Sequence, residues 1–125
     1  AAEVGKSSLT GMRALHRLAG RVPFWPLDPV GRRGAVVVEI YTTIAAREAG
    51  LRAGISKLRD GASLDAALSA LCSQPHRPLS RYDDHATDAI LAAAWLRRAA
   101  GRNRLWQPPA LTVTLARTEG WTFGV

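Results

Sequence analysis

Glu39, Asp84, His85 and Asp88 are the residues of this chain whose types and spacing could do chemistry. Glu39 closes Ala35-Val-Val-Val-Glu39-Ile-Tyr41, a β-branched run that reads as a buried strand. The other three open the segment Asp83-Asp84-His85-Ala-Thr-Asp88-Ala-Ile-Leu-Ala-Ala-Ala-Trp95, where a helix begins with carboxylates and continues as an apolar stripe. Spacings of three and four place Asp84, His85 and Asp88 on one face of its first turns. A carboxylate on a central strand facing another on a nearby helix is a common way to hold Mg²⁺ or Mn²⁺ with oxygen ligands. A second reading of the same residues stays open: a charge at a strand end, and acids that cap a helix and face its positive pole.

The elements that must position these groups follow from apolar spacing. Ser7 or Ser8 can cap a first helix carrying Leu9, Met12, Leu15 and Leu18, with Gly20 as its stop. Val22 to Pro29 holds three prolines and reads as an extended, aromatic-anchored loop. The apolar character of 35–41 predicts a strand buried on both faces, as in the middle of an α/β sheet. Thr42 or Thr43 can cap a short helix over 44–49, ended by Gly50. A further helical piece is expected from Ala53 to Arg59, and Ser63 can cap another from Leu64 to Cys72. The long helix spans 84–99, with Ile90, Leu91, Ala94 and Trp95 inside and Arg97 and Arg98 at its negative end. Leu111–Leu115 and Trp121–Val125 alternate with period two and predict a terminal hairpin.

The totals bound the rest. A chain of 125 residues, 47% hydrophobic, suits one domain with one modest core over 1–125. No apolar run approaches the roughly 20 residues that span a bilayer, so no membrane role is expected. Cys72, the one cysteine, excludes an intrachain disulfide and a cysteine-rich zinc site; packing is its expected role and the cytoplasm the expected compartment. The 17 basic and 10 acidic residues give a formal charge of +7, which suits a nucleic acid partner or reflects an arginine-rich composition. Gly5-Lys-Ser is like the tail of a phosphate-binding loop, and a helix start explains it as well. His16 and His76 show no metal-ligand spacing and read as surface residues; Phe24, Trp25, Trp106 and Trp121 could stack bases or close a small core. The opening run into Gly5-Lys-Ser-Ser8 reads as a start inside a domain.

In order, Lys6-Ser-Ser-Leu-Thr-Gly-Met12, Trp25-Pro26, Val38-Glu-Ile-Tyr41, Asp84-His-Ala-Thr-Asp88-Ala-Ile-Leu-Ala-Ala93 and Thr118-Glu-Gly-Trp-Thr-Phe123 form a set. That set resembles the later part of an uncharacterised family of predicted nucleases with a ribonuclease H-like fold, a domain of unknown function. The resemblance implies an α/β fold, a mixed sheet flanked by helices, with the N-terminal strands absent from this chain. It implies a divalent-metal-dependent nuclease in which Glu39 matches a fourth-strand acid, Asp88 a last-helix acid, and His85 a ligand or proton shuttle one turn earlier. Asp84 is a further candidate ligand, and Lys6 and Arg81 are candidate phosphate contacts. The first-strand acid of that family has no counterpart here, and Thr42 replaces its proline after the tyrosine. Two-metal hydrolysis places ions about 3.5–4 Å apart, so one missing bridging carboxylate predicts weak metal binding. The implied protein is a hydrolase completed by a missing N-terminal segment or, alternatively, a non-catalytic binding or assembly module that keeps the fold, with a homodimer as one outcome.

Overall fold

A computed structural model describes residues 2–31, 33–52 and 57–125, with the side chains of α1 described from Leu9 onward. Six helices follow one another: α1 (Ala2–Leu18), α2 (Thr42–Glu48), α3 (Gly61–Ala70), α4 (Asp84–Ala99), α5 (Asn103–Trp106) and α6 (Val113–Thr118). They fall into two compact units. Unit 1 is Ala1–Glu39 with Thr112–Trp121, and unit 2 is Ile40–Leu111 with Thr122–Val125.

The expected mixed sheet is not there. Among the described residues no β-sheet forms, and backbone pairing is confined to isolated bridges such as the parallel one joining Phe24 to Val37. The bridge is made by Trp25 N–H donating to the Val37 carbonyl at 3.0 Å and Val37 N–H donating to the Pro23 carbonyl at 2.9 Å. Residues 36–38 are half-buried, Glu39 and Tyr41 are exposed, and no ladder extends the run. A valine-rich stretch needs neighbours along both edges to become a central strand, and here only isolated bridge residues, Val37 and Glu39, form.

The terminal hairpin is also replaced, and the cause is local. The Thr112 hydroxyl accepts from Leu115 N–H at 3.1 Å, which caps α6 where an alternating strand was expected. Gly120, at φ 75°, then closes the turn with its N–H donated to the Leu115 carbonyl.

In unit 2, α4 spans 84–99 as expected, whereas α2 starts at Thr42 behind Tyr41 with no side-chain cap, and α5 was not expected. Asp60, rather than Ser63, caps α3: its Oδ1 accepts from Ser63 N–H at 2.8 Å, and the Ser63 hydroxyl donates to Oδ2 at 2.8 Å. Asp83 caps α4, accepting from Ala86 N–H at 3.0 Å. Of the piece expected over Ala53–Arg59, residues 53–56 lie outside the described residues, and 57–59 are irregular. α4 packs against α2 and α3. Leu64, Leu71, Leu91, Trp95 and Phe123 are fully enclosed, each such burial contributing about 1.5–3 kcal/mol. Phe123 meets Trp95 edge-on with centroids 6.0 Å apart and Trp106 at 4.6 Å. Gly124 lets the chain end close over this cluster, because a Cβ there would stand 2.6 Å from the Trp95 ring and φ is 100°.

Arg97 and Arg98 serve α3 rather than their own helix end. Arg97 donates to the Cys72 carbonyl and to Ser73 Oγ, and Arg98 donates to the Ala70 carbonyl at 3.4 Å. Cys72 itself is exposed at φ 54°, at the left-handed turn that ends α3, so Leu71 takes the packing role expected of it.

Candidate functional site

The head of α4 gathers the chemistry-bearing residues of unit 2. Asp84 is held by two cations, with Lys57 Nζ 2.8 Å from Oδ2 and Arg59 2.8 Å from Oδ1. The hydrogen bond from Lys57, with the field of Arg59, holds its carboxyl below the ordinary range. Asp83 spends its Oδ1 on the helix cap, and Arg81 stands 3.7 Å from Oδ2 on an exposed side chain. His85 is exposed. Asp88 is half-buried, and its Oδ2 accepts from the Thr42 hydroxyl at 3.4 Å, across 46 residues of sequence.

These placements answer the sequence reading residue by residue. Asp84, His85 and Asp88 share the opening turns of α4, as their spacing required. Glu39 ends the first segment of unit 1 and is exposed there. Lys6 lies on α1, so Gly5-Lys-Ser is helix rather than phosphate-binding loop, and the Lys6 side chain is outside the described residues. Among the described residues no three His, Cys, Asp or Glu side chains gather to hold a metal ion. The donor set at α4 does not fit Mg²⁺ or Mn²⁺ as it stands, because both Asp84 oxygens already face cations and would have to be released first.

Two features escaped the sequence. His76, read as a surface residue, has a side chain only 7% exposed. Its Nδ1 lies 2.6 Å from Asp65 Oδ1, its Nε2 lies 2.8 Å from the Tyr82 hydroxyl, and its backbone N–H donates to the same Asp65 oxygen at 3.0 Å. Gly61 makes room, since a Cβ there would stand 2.8 Å from the Tyr82 hydroxyl. Partners 11 and 6 residues from His76, across a proline-containing loop, leave no periodic signal.

The second feature is an apolar groove of about 830 Å³ within unit 1. Met12 and Leu15 of α1 line it, facing Phe24, Trp25, Val37 and Trp121. Its polar lining includes His16, Glu39, Arg117 and Glu119. The apolar spacing on α1 did signal a face seeking cover; that the face lies open did not follow from it.

Comparison with family models, curated proteins and solved structures finds no match for this chain. The resemblance to predicted nucleases therefore rests on its motifs. Among the described residues no helix is long and apolar enough to cross a membrane.

Proposed function

We propose that this chain is a non-catalytic binding and assembly module, whose working surface is the open apolar face of unit 1. The observation that carries the reading is the exposure of α1's own stripe: Leu9 63%, Met12 65%, Leu15 41% and Leu18 36%. Isolated exposed leucines are ordinary, but exposed apolar side chains beside an apolar groove that Met12 and Leu15 line mark a surface that binds.

Purified chain should bind an apolar fluorescent dye or associate in solution, and should not cleave DNA or RNA with Mg²⁺ or Mn²⁺. A monomer that leaves the dye dark would overturn the assembly reading.

A further inference from the structure

We infer that unit 1 docks on an anionic lipid surface, with the open side of α1 laid among the headgroups; this rests on the binding and assembly reading above and names the partner of that surface. Lying on a bilayer needs no spanning segment, only an amphipathic helix with cations beside its apolar side.

The apolar side of α1 is wide. At 3.6 residues per turn each residue advances about 100° around a helix, so a step of three turns the face back by about 60°. Leu9, Met12, Leu15 and Leu18 therefore sweep about half of the circumference, and all four keep contact with water. Gly11 falls inside the same arc, between Leu15 and Leu18, and a Cβ built there would meet nothing within 4 Å. On that side the arc is open.

Its width selects the kind of partner. A protein groove reads anchors at i, i+3, i+4 and i+7 along one narrow seam. From Leu9 the i+4 and i+7 positions are Arg13 and His16, and from Met12 they are His16 and Ala19, so no such seam continues. A fluid lipid surface accepts a broad arc, because it moulds itself around each inserted side chain.

Charge selects the kind of lipid. Arg13 lies about 40° past Leu9 around the helix and Arg17 about 40° further, both exposed. They stand just outside the arc, where a guanidinium can meet lipid phosphate while its methylenes stay along the apolar side. From Leu9 to Leu18 the helix carries no carboxylate to oppose them.

The test is co-sedimentation of the full chain with phosphatidylcholine vesicles, with and without phosphatidylglycerol, at low and high salt. The apolar dye and the mass in solution are read in parallel without lipid. Binding to the anionic vesicles that weakens with salt, and far less binding to the neutral ones, is expected. Arg13→Glu/Arg17→Glu should weaken it at least about 30-fold, and Arg13→Lys/Arg17→Lys should keep it. Gly11→Leu should bind about tenfold tighter than Gly11→Ala, a gain that misfolding cannot give. Equal binding by the Glu pair and the wild type, or by Gly11→Leu and Gly11→Ala, overturns docking through α1. A chain that ignores both vesicles yet lights the dye or self-associates overturns the lipid partner and leaves the binding and assembly reading standing. A monomer that ignores both vesicles and leaves the dye dark overturns both.

Discussion

Units 1 and 2 use the same residues to opposite effect. In unit 2 the apolar positions of α3 and α4 meet one another, and Leu64, Leu71, Leu91, Trp95 and Phe123 are sealed. In unit 1 a comparable stripe on α1 stays open, and among the described residues Trp25 is the one buried side chain. Apolar periodicity thus marks a face that wants covering, and leaves open whether the cover comes from the same chain. In unit 2 two helices of matching pattern pack on α4. In unit 1, α1 has a partly walled groove instead.

The sharpest way to break this contrast is paired truncation. Leu64→Ala should cost about 2–5 kcal/mol in chemical denaturation, because the site is fully packed. Leu15→Ala should cost well under about 1 kcal/mol in the same measurement on the monomer, because its side chain keeps much of its contact with water. Equal losses would show that α1 is covered within the chain. Gly124→Ala comes next, at about 1–3 kcal/mol, since a methyl must push the Trp95 ring aside. A quenched or shifted tryptophan emission should accompany it. Asp83→Ala should lower stability by about 1 kcal/mol through loss of the α4 cap, with Asp83→Asn largely restoring it.

The smallest effect is a pH dependence confined to unit 2. The hydrogen bond from His76 holds the Asp65 carboxyl below its ordinary value. The unfolded chain then binds this proton more readily than the folded one, so the stabilisation is present above the unfolded pKa and is lost as pH falls through the lower folded value. Melting temperature should drop between roughly pH 5 and pH 2, and the drop should be shallower in Asp65→Asn. Identical slopes in both proteins would remove Asp65 from the account.

What the sequence made legible was local. The span of α4, the glycine stops after α1 and α2, and the shared face of Asp84, His85 and Asp88 follow from spacing and caps, which act within a turn or two. The sheet expected from 35–41 depended on strands elsewhere, and composition cannot supply neighbours. Around Thr112 a single hydroxyl decided between strand and helix, a choice that period-two alternation does not register. The site suffered for the same reason. Lys57 and Arg59 reach Asp84 from a segment more than 20 residues upstream, so an acid that looked free for a metal is already neutralised. His76 found its partners across a loop with no repeating pattern.

The two arginines that leave α4 to bind the carbonyls at Ala70 and Cys72 have a kinetic consequence. α3 cannot fray from its C-terminus without breaking bonds rooted in the last turn of its neighbour. Local opening of either helix exposes donors or acceptors of the other, so the pair should exchange its amide hydrogens as one cooperative block. α1 takes no part in that block and should exchange independently of it.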